Sequence, residues 1–335
     1  MGSIIKIIAK YQTLLKAIFY RTRVFNLFIV AFSYLFRFPK VKGFPPIVQI
    51  EPTNRCNLHC CLCLTGLGKL RRQKGDMSIG NFEKIIGQLE KGIIYLVLYN
   101  LGEPLLNPDI YQMVQYAKRK RVFIRLSTNG EFVDNENIKK IVNYGIDELV
   151  ISLDYAPQQT YLKYKKSPNF KMVIENVKSI IKERGKRLKP YVNLQLLITI
   201  DTEEQIPEFR KMARDLGVDR SLIKKVRVNF PEIEPDRNLL PLNSKYIRKA
   251  YKNNFRRDIC YRPWISTLVF WDGSIVPCCF DMQGEYNFGN IFNMSFEKIW
   301  NNINYASFRE QILKSCNQIP LCRQCSLQDF FDNYS

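Results

Sequence analysis

The stretch that most constrains this chain is a cysteine-rich loop at residues 56–63, with the sequence CNLHCCLC. Cys56, Cys60 and Cys63 have the spacing Cys-x3-Cys-x2-Cys, which can place three thiolates around one cubane iron–sulfur cluster. Three protein ligands instead of four would leave one iron open to a small molecule. The neighbouring Cys61 makes the middle ligand ambiguous from the loop alone. Half of a zinc site and a redox-active pair are the other interpretations of the Cys-x2-Cys pattern.

Composition favours metal ligation in a reducing compartment. Ten cysteines, most of them clustered, lie in a chain of 335 residues, and a secreted disulfide framework fits such a long chain poorly. We therefore expect a cytoplasmic protein. His59 is the one histidine, which excludes a histidine-ligated metal centre elsewhere and disfavours Ser-His-Asp or Cys-His catalysis. The hydrophobic content of 46% suffices for the core of one large domain or two.

The N-terminal segment, residues 1–44, is basic and apolar. The formal net charge of the whole chain is +20, and residues 1–50 contain no Asp or Glu. The apolar run at 24–36 is shorter than the roughly 20 residues that span a bilayer, and no signal-peptide cleavage site follows it. We expect amphipathic helices at an anionic membrane surface, such as the inner face of the membrane. A helical cap on the rest of the fold and a dimer contact are equal alternatives.

Residues 45–230 repeat a short apolar run followed by a helical pattern. Six such units predict a parallel sheet with right-handed crossovers, and six are too few to close an eight-stranded barrel. The predicted fold is therefore α/β, a partial (β/α)6 TIM-like barrel, with its chemistry at the carboxyl ends of the strands. The predicted strands are 47–53, 95–100, 122–126, 148–153, 192–199 and 225–230.

Polar motifs follow the second, third and fourth predicted strands: Gly102-Glu103-Pro104, Ser127-Thr128-Asn129-Gly130 and Ser152-Leu153-Asp154. Together with the cysteine loop, they resemble the motifs of the radical S-adenosylmethionine (SAM) superfamily, in the same order and at successive strand ends. The resemblance implies a 4Fe–4S cluster whose open iron binds SAM. It also implies Cys60 as the middle ligand, because only Cys60 gives the family spacing and places Leu62 before the third cysteine.

The same resemblance implies roles for single residues. Glu103 and the backbone beside it are implied to bind the SAM amino group, Thr128 and Ser152 the ribose or carboxylate, and Leu62 the adenine. The cofactor-binding residues implied in this way are Leu62, Gly102, Glu103, Pro104, Thr128, Asn129 and Ser152.

Two positions depart from the family pattern. Leu101 replaces the first glycine of a Gly-Gly-Glu-Pro motif, and Tyr155 stands where many relatives have glycine. Asp154 and Tyr155 are polar groups at the end of the fourth predicted strand. We take both as candidate catalytic residues that handle the substrate or protons.

Residues 231–259 are predicted to form a polar linker, and residues 260–335 form a second cysteine-rich region. A hairpin turning at Asp272-Gly273 would bring its two ends, and the cysteines there, close together. This pattern resembles the SPASM or shorter twitch extensions of radical SAM enzymes and implies one auxiliary 4Fe–4S cluster. Its implied ligands are Cys260, Cys278, Cys322 and Cys325.

Three cysteines have no assigned role: Cys61, Cys279 and Cys316. We expect them to be small buried residues, although Cys279 is an alternative to Cys278. The fuller SPASM form holds two auxiliary clusters with seven cysteines, and this region has six, so we expect a single cluster. A zinc ribbon with four cysteine ligands is the competing interpretation.

The resemblance implies an enzyme that reductively cleaves SAM to a 5′-deoxyadenosyl radical, which abstracts hydrogen from a substrate that the sequence does not identify. A donor such as flavodoxin or ferredoxin would supply the electron. The auxiliary cluster would assist a net oxidation or a maturation reaction. The same chemistry on a lipid-linked or membrane-delivered substrate is one alternative. A zinc-stabilised, basic nucleic-acid-binding protein is another, and the four strand-end motifs argue against it.

Overall fold

A computed structural model of the chain describes residues 2–131, 134–225, 239–243, 245–246, 260–323 and 325. The predicted linker at 231–259 lies mostly outside these residues. The helices are α1 Gly2–Ile18, α2 Arg23–Leu35, α3 Ile79–Leu89, α4 Ile110–Arg119, α5 Asn135–Asn143, α6 Gln158–Lys165, α7 Phe170–Arg184, α8 Ile206–Asp215, α9 Arg262–Ile265, α10 Phe296–Trp300, α11 Ile303–Ser315 and α12 Pro320–Arg323. The strands are β1 Ile47–Ile50, β2 Tyr95–Val97, β3 Phe123–Thr128, β4 Glu148–Asp154, β5 Tyr191–Ile198, β6 Arg220–Lys225, β7 Ser266–Val269, β8 Ser274–Val276 and β9 Gly289–Asn290.

The first six strands form a parallel sheet in which each strand pairs with the next one in sequence. This winding in one direction confirms the partial-barrel prediction, because a doubly wound sheet would reverse its order at the first strand. Strands β3, β4 and β5 bury alternate or continuous apolar residues, and helices α4, α7 and α8 pack on them in turn. Helix α3 packs beside α4; it begins after Ser78, whose side chain accepts a hydrogen bond from the Asn81 amide, and it buries Phe82, Ile85, Ile86 and Leu89.

The sixth strand begins earlier than predicted. The prediction was 225–230, and the strand occupies Arg220–Lys225; residues 226–230 lie outside the described part of the chain. It pairs in register with β5, from Asn193 opposite Arg220 to Ile198 opposite Lys225. Because β6 is the edge strand, its polar side chains can face solvent, and its sequence RSLIKK lacks the apolar alternation on which the prediction relied.

The C-terminal extension continues the barrel sheet. Strand β7 pairs in parallel with β1, and β8 and β9 follow antiparallel, so the nine strands have the order β6-β5-β4-β3-β2-β1-β7-β8-β9. The predicted hairpin is present, with Gly273 at φ +86° in its turn. A Cβ atom on Gly273 would lie 2.5 Å from the Phe292 ring, so the turn requires glycine for both space and conformation.

One buried ion pair joins the barrel to the extension. The Arg72 guanidinium donates to both carboxylate oxygens of Glu51, just after β1, at 2.8 Å each. It also donates to the Met282 carbonyl at 2.8 Å and lies 3.6 Å over the Phe270 ring, both in the extension. Since Glu51 is fully buried, the pair holds the two parts of the chain in one arrangement.

Candidate active site

The cysteine loop leaves the carboxyl end of β1 and turns back tightly on itself. The Cys63 amide donates to the Cys60 carbonyl at 3.2 Å, and the Leu67 amide donates to the Cys63 carbonyl at 2.9 Å. Gly66 packs directly on this turn, because a Cβ atom there would lie 2.5 Å from the Cys60 nitrogen. Only glycine therefore lets the chain pass behind Cys60.

Burial is the largest cause that raises the pKa of Cys56 and Cys60, and the neighbouring Cys63 raises both further. Cys63 and Cys56 both raise the pKa of Cys60 electrostatically, after burial, which is the largest cause. The charged neighbours of Cys61 are instead Lys166 and Lys163. The Cys61 amide donates to the Tyr164 carbonyl at 3.0 Å. This arrangement supports Cys60 as the middle ligand.

The thiols of Cys56 and Cys60 are costly to ionise in the absence of a bound metal. Burial raises the pKa of Cys56 to about 11 and that of Cys60 to about 12. Both thiols therefore keep their protons at neutral pH until iron binding, which takes up thiolate and releases protons, compensates their burial. The Leu58 amide also points at the Cys56 sulfur, at 3.5 Å, and amide donors of this kind tune cluster potential.

A buried cation beside the loop was not predicted from the sequence. Lys165, at the end of α6, is 4% exposed and donates to an Asp154 carboxylate oxygen at 2.8 Å and to the Ser152 carbonyl at 2.9 Å. Burial lowers the pKa of Lys165, but its charged surroundings, with the Asp154 carboxylate as the largest contributor, outweigh burial and raise that pKa. Lys165 therefore stays charged, and its charge partly offsets the rise in pKa that burial causes at Cys56 and Cys60.

Glu103 is a fully buried carboxyl group at the neighbouring strand end. Its oxygens accept hydrogen bonds from the Asn129 amide at 2.7 Å and the Leu105 amide at 3.1 Å. Burial raises its pKa, and the amide donors oppose this only in part. In the described residues it forms no ion pair, so a ligand ammonium group would supply the missing positive charge.

The motif around Glu103 packs against the residues before Cys56. Gly102 has φ +86°, and a Cβ atom there would lie 2.7 Å from the Thr53 and Arg55 carbonyl oxygens. The Glu103 amide donates to the Arg55 carbonyl at 2.8 Å. Pro104, which is buried, begins a short 3-10 turn. The second strand end and the cysteine loop are therefore built as one unit.

The other predicted cofactor contacts lie at the same end of the sheet. The Asn129 side chain donates to the Asn57 side chain at 2.8 Å and reaches to 4.0 Å from the Cys56 sulfur. Thr128 is buried and its hydroxyl accepts from the Gly130 amide at 3.1 Å. The Ser152 hydroxyl accepts from Gln195 at 3.1 Å. Leu62 is half-buried and packs against the core.

The two candidate catalytic residues have different surroundings. Asp154 adopts φ +63°, and its carboxylate binds both Lys165 and Gln195, the latter at 2.6 Å. The Tyr155 side chain lies in the core, where its ring stacks on Tyr164 with centroids 4.3 Å apart. Burial and then Asp154 raise the Tyr155 pKa well above its usual value. The structure thus brings Asp154 to the site and places Tyr155 beneath the cysteine loop.

Replacing Glu103 with glutamine should leave the iron content unchanged and weaken SAM binding roughly ten- to a hundredfold. The reason is that a charge-assisted hydrogen bond to a ligand ammonium group is worth about 1.5–3 kcal/mol. Burial raises the pKa of Glu103, so in the wild type its carboxylate should take up a proton at a pH above the usual pKa of glutamate. SAM binding should therefore already weaken at that higher pH, because the protonated carboxyl cannot form the ion pair. Anaerobic equilibrium dialysis across pH measures both effects. A Glu103→Gln protein with the wild-type affinity and pH profile would contradict this role.

The cysteines of the extension line one cavity. Cys260, Cys278, Cys322 and Cys325 all contribute to its wall, as does Cys316, for which we predicted no role. Cys279 does not line it; its sulfur instead accepts a hydrogen bond from Arg262 at 3.3 Å. Arg262 itself lines the cavity, and its charge lowers the pKa of Cys278, which burial raises.

The donor sets of both regions fit iron–sulfur clusters. Within the described residues, no three His, Cys, Asp or Glu side chains converge as the ligands of a single metal ion do. A cubane cluster does not require such convergence, because each thiolate binds a different iron. Apart from Arg262, the rest of the lining of the extension's cavity is apolar, with Phe280, Phe308, Ile312 and Leu321, which suits a buried cluster.

Two functional residues were missed from the sequence for identifiable reasons. Lys165 lies among Lys163 and Lys166, and nothing in the sequence distinguishes the buried lysine from its exposed neighbours. Gly66 does carry a signal, since a glycine three residues after Cys63 is a candidate for close backbone approach.

Comparisons with known proteins agree with this geometry. Residues 50–213 match the Radical SAM superfamily, and residues 260–326 match the SPASM iron-sulfur cluster-binding domain. The chain is 26% identical over 318 residues to a tungsten-containing aldehyde ferredoxin oxidoreductase cofactor-modifying protein of Pyrococcus furiosus, covering 85% of this chain and 88% of that protein. It is 28% identical over 310 residues to the mycofactocin maturase MftC of Mycobacterium tuberculosis, covering 85% and 76%.

Among solved structures, Streptococcus suis SuiB bound to S-adenosylmethionine has the same fold, with a TM-score of 0.64 at 16% identity. The match covers 88% of this chain and 75% of SuiB. The family matches identify the extension as an iron–sulfur domain, which replaces the zinc-ribbon and nucleic-acid interpretations. The chain therefore belongs to the radical SAM superfamily and is an enzyme with a C-terminal SPASM extension.

Proposed function

We propose that this enzyme is a maturase that binds SAM at a 4Fe–4S cluster held by Cys56, Cys60 and Cys63. A single auxiliary 4Fe–4S cluster would be held in the cavity of the extension by Cys260, Cys278, Cys322 and Cys325. The observation that carries the proposal is a three-cysteine loop beside the buried carboxyl of Glu103, which forms no ion pair with a described residue, together with a separate cysteine-lined cavity.

The residues of this chain bind, orient and compensate charge. The Glu103 carboxylate accepts a hydrogen bond from the SAM amino group, and the turn at Gly102 fixes Glu103 against the cysteine loop. Lys165 compensates the negative charge of the thiolates, and Asp154 acts by holding Lys165 in place rather than by touching the substrate. When bound, the cluster supplies the electron that cleaves SAM to methionine and a 5′-deoxyadenosyl radical.

The names of the relatives support one substrate class. One is named a maturase, another is named a cofactor-modifying protein, and SuiB has been solved bound to its precursor peptide SuiA. We infer a peptide or a peptide-derived cofactor precursor as the substrate here. The electron would come from a carrier such as flavodoxin or ferredoxin, and the net charge of +20 favours an acidic carrier.

Removing two auxiliary ligands together, Cys278→Ala and Cys322→Ala, should lower the iron content from roughly eight to roughly four per chain. Two are removed because Cys316 lines the same cavity and can replace one lost ligand. SAM cleavage should persist, since the cysteine loop is untouched. Cys279→Ala is the matched control and should keep all the iron. Metal analysis of anaerobically purified protein decides this, and zinc in the wild-type extension would refute the auxiliary cluster.

A further inference from the structure

Helix α2 buries a mostly polar face and exposes an apolar face. Its buried side chains are Arg23, Asn26, Val30 and Ser33, three of them polar. Four apolar side chains, spaced three or four residues apart, lie on its exposed face: Phe25, Phe28, Phe32 and Leu35 are 68%, 69%, 53% and 71% exposed. A helix packed on a water-soluble fold normally shows the opposite pattern, so the outer face of α2 is built for an apolar environment.

Specific hydrogen bonds fix this orientation. The Arg23 guanidinium donates to the Lys120 carbonyl at 2.9 Å and the Arg121 carbonyl at 3.1 Å, just before β3. The Asn26 side-chain nitrogen donates to the Phe44 carbonyl at 2.8 Å, just before β1. The Asn26 side-chain oxygen accepts from the Phe44 backbone amide at 2.7 Å. Rotating α2 to bury its phenylalanines would leave these polar groups unpaired, so the helix cannot hide its apolar side.

The apolar surface extends beyond α2. Of the 18 exposed large hydrophobic side chains in the described residues, 11 lie between positions 7 and 38. We call these eleven the aromatic face: Ile7, Ile8, Tyr11, Leu15, Phe19, Phe25, Phe28, Phe32, Leu35, Phe36 and Phe38. This concentration in one segment marks an interaction surface rather than scattered exposure.

The charged side chains of the segment that carries the aromatic face are all positive. Residues 1–50 contain no acid, and Lys16, Arg37, Lys40 and Lys42 are exposed without an ion pair to a described acidic residue. Aromatic and aliphatic side chains flanked by cations match the interface of an anionic bilayer, which attracts basic residues close to its surface. No helix in the described part of the chain is long and apolar enough to cross a membrane.

We infer that the aromatic face docks the enzyme onto the surface of an anionic lipid bilayer. The docked end is the amino end of the barrel, because Lys10 of α1 pairs with Glu148, the first residue of β4, at 3.0 Å. Lys10 also lies 4.9 Å over the ring of Tyr191, the first residue of β5. The cysteine loop leaves the opposite, carboxyl end of the sheet. Docking therefore anchors the enzyme with its catalytic end turned towards water.

Flotation with vesicles tests the docking. Full-length protein should bind vesicles containing phosphatidylglycerol at low salt and should bind vesicles of phosphatidylcholine alone much more weakly. Replacing Phe25, Phe28 and Phe32 with glutamine should lower binding at least about a hundredfold, since burying one such side chain is worth about tenfold or more. The matched control replaces three exposed apolar residues elsewhere, Leu242, Met294 and Ile303, and should bind like the wild type. Iron content and the thermal midpoint of each variant report that the fold is intact.

Fluorescence quenching by brominated lipids tests the orientation. Phe28→Trp should add a strongly quenched component to the wild-type signal. Trp271→Phe should leave the amplitude of the quenched component unchanged, because Trp271 lies after β7 and donates to the Gln73 carbonyl at the catalytic end. Loss of quenching on removing Trp271 would overturn the orientation. Failure of the wild type to bind anionic vesicles at low salt would overturn the docking itself. So would a dimer that the three glutamines dissociate, which would make the face a protein interface.

Discussion

Replacing Cys60 with alanine should remove the iron of the SAM site, whereas replacing the adjacent Cys61 should leave it in place. Cys60 shares its electrostatic environment with Cys56 and Cys63, and a three-ligand site does not survive the loss of one ligand. Cys61 instead faces Lys163 and Lys166 above the tyrosine pair. The iron content should fall from roughly eight to roughly four per chain in Cys60→Ala and stay at roughly eight in Cys61→Ala.

Metal analysis and the visible absorbance of anaerobically purified protein measure this difference. The two variants differ by one position in the same loop, so general damage to the loop would affect both. If Cys61→Ala loses iron and Cys60→Ala retains it, the ligand set is Cys56, Cys61 and Cys63, and our assignment is wrong.

The second large effect is on stability. Arg72→Met should destabilise the fold by about 3–5 kcal/mol, because it leaves the Glu51 carboxylate buried without its partner. Burial raises the pKa of Glu51 and Arg72 opposes this, so loss of the arginine shifts that pKa further upward. The midpoint of urea unfolding, followed by circular dichroism, reports the loss.

The preceding residue provides the control. Arg71 pairs with Glu285 at 2.6 Å, and both side chains are more than half exposed, so Arg71→Met should cost at most about 1 kcal/mol. Adding Glu51→Gln to Arg72→Met should recover part of the stability, because the unpaired charge is then gone. Equal midpoints for Arg71→Met and Arg72→Met would show that the buried pair does not hold the extension to the barrel.

The sequence was enough to predict the architecture because local patterns set it. Apolar runs and helix signals placed five of the six barrel strands, and the polar motifs fell at their carboxyl ends. The pairing of β7 with β1 was not predictable, because it joins segments more than 200 residues apart and no local sequence pattern indicates it. The start of the sixth strand was missed because an edge strand need not be apolar.

The site could be predicted only as far as short motifs define it. Spacing identified the cysteines and Glu103, since ligands from one loop or turn must be close in sequence. Lys165 reaches the site from the end of α6, so only the folded chain distinguishes it from the neighbouring lysines. The reversed face of α2 was likewise invisible, because an apolar run does not show which side packs inward.

The most direct test of the central assignment is the fate of SAM itself. Anaerobic wild-type protein with both clusters, incubated with dithionite and SAM, should form 5′-deoxyadenosine and methionine in equal amounts. The Cys56→Ala, Cys60→Ala and Cys63→Ala triple variant, with its auxiliary iron intact, should form neither. Wild-type protein that carries its full iron, binds SAM and still releases no 5′-deoxyadenosine would contradict the account.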